Sequence, residues 1–139
     1  PLNWRLAGPE LAYILQDAEP SVLVLEDAFA SLVEGARPVR TIGLGADAGG
    51  RPGLADILAR SGGTAQQSEG ALSDPLLLVY TSGTTGRPKG AVLTQEAIAW
   101  NAVMSQHMHG LTAADHVLTV LPFFHVGGLN IQTTPALQA

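Results

Sequence analysis

The chain has 139 residues, of which 46% are hydrophobic and 14% charged, a composition typical of a globular protein. Seven basic residues against twelve acidic ones leave a formal net charge of −5, so binding to nucleic acid is not expected. The absence of cysteine excludes disulfides, thiolate nucleophiles and cysteine-based zinc sites, and it is compatible with the cytoplasmic location that we expect.

The first half of the chain alternates helical and strand-like patterns. Behind Gly8-Pro9-Glu10, apolar residues at helical spacing predict a helix that ends before Pro20. A short β-branched run predicts a buried strand over 22–25, and a second helical stretch follows over 26–33. A further strand is predicted over 39–44, and a short helix over 54–58 follows a glycine-rich loop. This order predicts an α/β fold in which strands are flanked by helices.

The second half begins with residues 61–74, which are poor in large apolar side chains and predict a mobile connector rather than a domain boundary. The elements predicted after it are a strand over 76–80, an extended segment over 91–94, a helix over 95–109 closed by Gly110, a strand over 116–121, and a turn over 122–128 that leads into another helix.

Neither end of the chain carries a recognisable signal. Residues 1–7 lack an initiator methionine and the features of a signal peptide, and the last residues stop inside an apolar segment. We therefore expect a piece of a longer protein. The apolar runs are strand-sized and far shorter than the ~20 residues of a membrane span, so no span is expected. The oligomeric state stays open, a homo-oligomer included.

The loop that follows the strand over 76–80 carries the densest chemical signal. Glycines at 83, 86 and 90 allow a turn in which consecutive backbone N–H groups point into one concavity, a geometry suited to phosphate. Four hydroxyl side chains lie between residues 81 and 85, and each can bind a phosphate oxygen or Mg²⁺. Lys89 is the only lysine in the sequence, which disfavours a purely solvated role.

The sequence of this loop allows two other interpretations. A plain hairpin loop also selects glycine, serine and threonine, so composition alone does not decide. The Walker loop of P-loop NTPases requires Gly-x-x-x-x-Gly-Lys followed by Ser or Thr and a helix. Here the lysine comes three residues after Gly86 and the chain continues as an extended segment, so the Walker pattern is excluded.

The order of residues from Tyr80 to Gly90 resembles the phosphate-binding loop of the adenylate-forming superfamily, which includes acyl-CoA synthetases, luciferases and peptide-synthetase adenylation domains. Its signature Tyr-Thr-Ser-Gly-Thr-Thr-Gly-x-Pro-Lys-Gly is matched completely. The resemblance implies that the loop holds the β- and γ-phosphates of ATP, that Lys89 is catalytic and that Thr81 lies at Mg²⁺. The implied ATP-binding residues are Thr81, Ser82, Gly83, Thr84, Thr85, Gly86, Arg87, Pro88 and Lys89. The chain departs from the family at Gln95, where histidine is common.

A second motif of that family is matched over residues 121–128, Leu-Pro-Phe-Phe-His-Val-Gly-Gly. A lone histidine beside aromatic residues is more often a packed or turn residue than a catalyst. The resemblance implies instead that His125 has a catalytic role beside the carboxylate pocket and that Phe124 orients the acyl substrate. Gly127 and Gly128 would let the substrate approach the backbone closely.

The resemblance identifies the chain as a partial AMP-binding N-terminal domain over 1–139, without the family's C-terminal domain. The opening Asn3-Trp4-Arg5-Leu6 is similar to acyl-CoA synthetases and favours a fatty-acid–CoA ligase. The implied reaction joins a carboxylic acid to ATP as acyl-adenylate and then to coenzyme A, with Mg²⁺ as cofactor. The alternatives are a domain that loads a carrier protein and a non-catalytic nucleotide-binding remnant.

The family's adenine- and ribose-binding stretch, its acidic metal ligand and the lysine of its mobile C-terminal domain have no counterpart in this sequence. We therefore expect the 139-residue chain to be inactive by itself. The remaining histidines, His107, His109 and His116, are assigned no role, and Trp4 and Trp100 are interpreted as packing residues.

Overall fold

The computed structural model describes residues 1–36, 39–45, 49–63, 70–82 and 86–139. The chain divides into two compact units, Trp4–Ser68 and Glu69–Ala139, the latter joined by Pro1–Asn3. This division falls within residues 61–74, which the sequence predicted as a connector rather than a boundary. Part of that segment, 64–69, lies outside the described residues.

In the unit Trp4–Ser68, helix α1 covers Gly8–Ala18 and strand β1 covers Val22–Glu26. A 3₁₀ helix follows over Asp27–Val33, then strand β2 over Arg40–Leu44 and helix α2 over Leu54–Arg60. The two strands pair in parallel in full register. The helix expected over 26–33 is therefore present in the tighter 3₁₀ form, and the other elements of this half lie where the sequence predicted them.

The start of α1 follows from local chemistry. Pro9 occupies the first turn, where its missing N–H costs nothing, and Glu10 accepts a hydrogen bond from the backbone N–H of Ala7 at 2.9 Å. The helix buries Leu11, Ile14 and Leu15, which share its apolar face. Among the described residues of this unit, the buried large apolar side chains are these three and Leu25 of β1.

In the second unit, strand β3 covers Pro75–Thr81 and strand β4 covers Lys89–Thr94, and the two form an antiparallel hairpin. Helix α3 covers Gln95–His109. The last helical segment consists of helix α4 over Val126–Gly128, a π-helical turn over Leu129–Thr133 and helix α5 over Thr134–Gln138. Helix α3 packs against the hairpin, the π turn and α5, and it therefore links the two sequence motifs within this unit.

Both ends of α3 are set by signals that can be read from the sequence. The Thr94 hydroxyl accepts a hydrogen bond from the backbone N–H of Ala97 at 3.2 Å, which satisfies one free donor of the first turn. Gly110 ends the helix in the left-handed conformation, with φ of 66°. The helix buries Ile98 and Ala102, whereas Trp100 is 60% exposed, so the packing role predicted for Trp100 is wrong.

The strand predicted over 116–121 does not form. These residues pair with no strand in the described part of the chain, and Leu118 has 80% of its surface exposed. A run of alternating apolar residues becomes a strand only when a neighbouring strand accepts and donates its backbone hydrogen bonds. Residues 116–121 pair with neither β3 nor β4. Separately, among the described residues no helix has both the length and the apolar character needed to cross a membrane.

Candidate functional site

The loop predicted to bind phosphate joins β3 to β4. Thr81 ends the first strand and Lys89 begins the second, and the two residues lie opposite each other in the ladder. The Thr81 hydroxyl donates to the Lys89 carbonyl oxygen at 3.5 Å, a long and therefore weak bond across the mouth of the loop. Gly83, Thr84 and Thr85 lie outside the described residues. The structure thus brings the proposed metal ligand and the lysine together at one end of the hairpin.

The Lys89 side chain is exposed, and within the described part of the chain its ammonium group forms no salt bridge. An ammonium group without a carboxylate neighbour is free to bind an anion of the solvent or of a substrate. Ser82 and Arg87 are exposed beside it, and Pro88 is half-buried. The loop contains no aspartate or glutamate, so its charged side chains are all positive.

Two glycines of the loop have different structural reasons. Gly86 has φ of 81°, a left-handed conformation that side-chain-bearing residues rarely adopt. Gly90 has no such conformation, but a Cβ there would lie 2.8 Å from Leu78 Cδ1 and 3.2 Å from Tyr80 Cζ. Gly90 pairs with Tyr80 across the hairpin, and the side chains of β3 fill the space that a side chain at residue 90 would need.

The second motif forms a tight turn followed by a helix start. The His125 backbone N–H donates to the Pro122 carbonyl at 3.1 Å, which closes the turn that carries Phe124. The His125 side chain then caps α4, because its Nδ1 accepts a hydrogen bond from the Gly127 N–H at 3.1 Å. An accepting Nδ1 requires the neutral tautomer with the proton on Nε2. In the described part of the chain Nε2 has no hydrogen-bond partner.

Gly128 allows the helix start to approach the turn. A Cβ at Gly128 would lie 2.4 Å from the carbonyl oxygens of both Leu121 and Pro122, a distance that no side chain tolerates. A Cβ at Gly127 would meet the side chains of Leu121 and His125 at 3.0 and 3.2 Å. The chain's own backbone therefore explains Gly128. Close approach of a substrate to these glycines remains a prediction.

Sequence reasoning missed three polar residues beside this motif. The Thr133 hydroxyl donates to the Gly128 carbonyl at 2.7 Å. The Thr119 hydroxyl oxygen lies 3.1 Å from the Thr133 hydroxyl oxygen. Asn130 is only 7% exposed, and among the described residues its Oδ1 is buried without a hydrogen-bond partner. The run Asn-x-x-Thr behind a double glycine was the available signal, but isolated polar residues in an apolar helix have many structural uses.

No cluster of three or more metal-ligating histidine or carboxylate side chains occurs among the described residues. Asp115, the acidic residue nearest the second motif in sequence, belongs to a closed turn with Thr112, as the sequence predicted.

The whole chain, residues 1–139, matches the family described as AMP-binding enzyme. The chain belongs to this family. The AMP-binding enzymes that it resembles include indoleacetate–CoA ligase of Aromatoleum aromaticum, which is 49% identical over 144 residues, covering 100% of this chain and 28% of that protein. Long-chain-fatty-acid–CoA ligase FadD13 of Mycobacterium tuberculosis is 34% identical over 144 residues, covering 99% of this chain and 28% of the relative.

Among solved structures, ATP-bound MatB from Rhodopseudomonas palustris is 32% identical with a TM-score of 0.79, and the match covers 100% of this chain and 28% of MatB. The family and the α/β fold predicted from the sequence are thereby confirmed. The chain spans 28% of the length of these AMP-binding enzymes.

Proposed function

We propose that the full-length protein activates a carboxylic acid with ATP and transfers the acyl group to coenzyme A. The observation that carries the proposal is the complete loop signature on a hairpin in which Lys89 lies opposite Thr81 and has no salt bridge in the described part of the chain. The identity to acid–CoA ligases along the whole chain supports the same reaction class.

In the first half-reaction a carboxylate oxygen attacks the α-phosphorus of ATP. The bond from that phosphorus to the bridging oxygen breaks, and pyrophosphate leaves with the electron pair. Lys89 and the loop hydroxyls would bind the β- and γ-phosphates and neutralise the charge that grows on this leaving group. Mg²⁺, held by the Thr81 hydroxyl and the phosphates, would supply further positive charge.

The second half-reaction requires a thiol. The sulfur attacks the acyl carbon of the adenylate, and the bond from that carbon to the phosphate oxygen breaks. AMP leaves with this oxygen and the electron pair, and the thiol proton passes to solvent. No covalent bond to the enzyme is needed in either half. His125 would bind an oxygen of the acid or of the adenylate through its Nε2–H, because the capping bond to Gly127 N–H keeps the proton on that nitrogen.

The substrate class is a finer part of the proposal. The opening residues favoured a fatty acid, whereas identity is 49% to an indoleacetate ligase and 34% to a fatty-acid ligase. We therefore place arylacetic acids first among candidate substrates and keep long-chain fatty acids as the alternative. Phe124 in the turn is suited to contact either an aromatic ring or an acyl chain.

The decisive test is ATP–pyrophosphate exchange by the full-length protein with indole-3-acetate, benzoate and a long-chain fatty acid. We expect exchange with at least one acid and its loss by about 10²-fold or more in Lys89→Ala, because the phosphate loop loses the only lysine in its sequence. Lys89→Arg should retain part of the activity, and Arg60→Ala, in the other unit, should match wild type. Unchanged exchange in Lys89→Ala would remove the loop from the mechanism.

His125→Ala should lower exchange less than Lys89→Ala and by an amount that depends on the acid. His125→Asn is the matched variant, because an Asn side-chain oxygen can accept the Gly127 N–H bond and keep the cap without supplying Nε2–H. If both variants lose activity equally, the Nε2–H is the functional group. If His125→Asn is fully active, the cap is the functional part.

The thiol acceptor is tested separately, by AMP release from the full-length protein with coenzyme A and with a phosphopantetheinylated carrier protein. AMP release with the carrier protein but not with coenzyme A would identify the carrier protein as the acceptor. Absence of exchange with every acid would instead favour the non-catalytic nucleotide-binding alternative.

A further inference from the structure

A short chain of hydroxyl groups connects residues before and after the second motif. Thr133 donates to the Gly128 carbonyl oxygen at 2.7 Å. A hydroxyl has one proton, so Thr133 must accept in its 3.1 Å contact with Thr119, and Thr119 must be the donor. The chain therefore runs in one direction, from Thr119 through Thr133 to Gly128. Thr119 and Thr133 are both partly buried, which shields these bonds from competing water.

The Thr133 hydroxyl bonds into an irregular part of the helix. Residues Leu129–Thr133 form a π turn in which the Thr134 N–H bonds to the Leu129 carbonyl, five residues back. The Thr133 hydroxyl reaches the Gly128 carbonyl over the same spacing. A side-chain hydroxyl that bonds into the helical ladder is a recognised cause of such irregular turns.

Gly128 connects the Thr133 bond to the turn at the start of the motif. Its Cα lies against the carbonyls of Leu121 and Pro122, where no Cβ would fit. The Pro122 carbonyl also closes the turn, because it accepts the hydrogen bond from His125 N–H. The position of Gly128 is therefore coupled to the turn that carries Phe124 and His125 through backbone contact rather than through flexible side chains.

We infer that Thr133, held by Thr119, is a positioning residue that fixes the turn of Phe124 and His125 against the acid substrate. The inference rests on the proposed function, since it concerns the same acid-binding site. It assigns Thr133 an effect on binding of the acid and none on binding of ATP, because in the described part of the chain the Gly128 carbonyl accepts from Thr133 and not from the β3–β4 hairpin.

The test compares steady-state pyrophosphate exchange by full-length wild type, Thr133→Val and Thr133→Ser. Valine keeps the shape and removes the hydroxyl, and we expect the KM for the acid to rise about tenfold while the KM for ATP is unchanged. Serine keeps the hydroxyl and should restore the KM for the acid. Thr134→Val is the matched control, because the Thr134 hydroxyl bonds to the Asn130 carbonyl and not to Gly128.

Thr119→Val keeps the Thr133–Gly128 bond and should raise the KM for the acid by a smaller factor, with the double variant less affected than the product of the two single effects. This variant also provides the measurement if Thr133→Val does not fold.

A lower melting temperature of Thr133→Val without a change in the KM for the acid would reduce Thr133 to a structural role and overturn the inference. An unchanged KM in Thr119→Val would overturn the chain of hydroxyls. Absence of exchange in wild type would instead contradict the proposed function.

Discussion

The imidazole of His125 has two nitrogen atoms with different surroundings. Nδ1 accepts the Gly127 N–H at 3.1 Å, and in the described part of the chain Nε2 has no partner. From sequence alone a lone histidine is most simply a turn residue, and the structure does give it that role as a helix cap. The same bond fixes the tautomer, so the turn role and the proposed role toward the acid support each other.

Asp115 provides a test of pH dependence at the scale of one side chain. Its carboxylate accepts from the Thr112 N–H at 2.7 Å and from the Thr112 hydroxyl at 2.8 Å. These two bonds, the backbone one first, hold the pKa of Asp115 below its ordinary value of 3.8, and nearby His116 adds a smaller effect in the same direction. Burial opposes them slightly.

Because the pKa of Asp115 is lower in the folded state, its stabilising effect is present above 3.8 and is lost as pH falls through the folded value. We expect Asp115→Asn to lower the melting temperature of the full-length protein at neutral pH, and the difference from wild type to shrink below pH 3.8. Thermal unfolding of both proteins across this range measures it. A difference that stays constant in acid would show that the charge is not involved.

At the scale of elements, local signals decide which predictions hold. Helix α3 was predicted at both ends, because Thr94 and Gly110 act through bonds to residues a few positions away. The strand over 76–80 and the extended segment over 91–94 were predicted, but their antiparallel pairing as a hairpin came from the structure. The strand over 116–121 was wrong because its formation depends on a neighbour that the chain's own pattern does not specify.

The contact between α4 and the preceding turn gives a prediction at this scale. Gly128→Ala places a Cβ against two backbone oxygens at 2.4 Å, and backbone cannot move aside cheaply. The gain in helix propensity of up to ~1 kcal/mol is therefore outweighed by a strain of about 1–3 kcal/mol. We expect net destabilisation in urea unfolding of the full-length protein.

Gly35→Ala is the matched control for this variant, since a Cβ at Gly35 meets nothing within 4 Å. We expect its stability to stay close to that of wild type. Equal stability of Gly128→Ala and Gly35→Ala would contradict the close approach of α4 to the turn.

At the scale of the whole molecule, the chain has many exposed apolar side chains for a globular protein. Leu118, Val120, Met104 and Trp100 are all mostly exposed in the unit that carries both motifs. Exposed apolar surface of this extent marks an interaction surface or a liability to aggregate. The chain also spans 28% of the length of the related ligases, which supports the expectation that it is inactive alone.

We therefore expect the 139-residue chain, expressed alone, to show no pyrophosphate exchange with any acid that the full-length protein activates. The physical reason is that the sequence predicts no adenine- or ribose-binding stretch within these residues, so we expect ATP to be held by its phosphates only. Exchange assays on both proteins at equal concentration measure the difference. Exchange by the short chain would place the complete adenylation site within these residues.

The sequence by itself determined the family and the α/β class, and it predicted phosphate binding for the loop from Tyr80 to Gly90, because these depend on residue order and on contacts between close neighbours. Only the tertiary structure decided why Gly128 is glycine and which nitrogen of His125 accepts a hydrogen bond. It also showed which hydroxyl groups bond beside the turn of Phe124 and His125. Thr119 and Thr133 are 14 positions apart, and a hydrogen bond at that separation depends on how the chain folds back on itself.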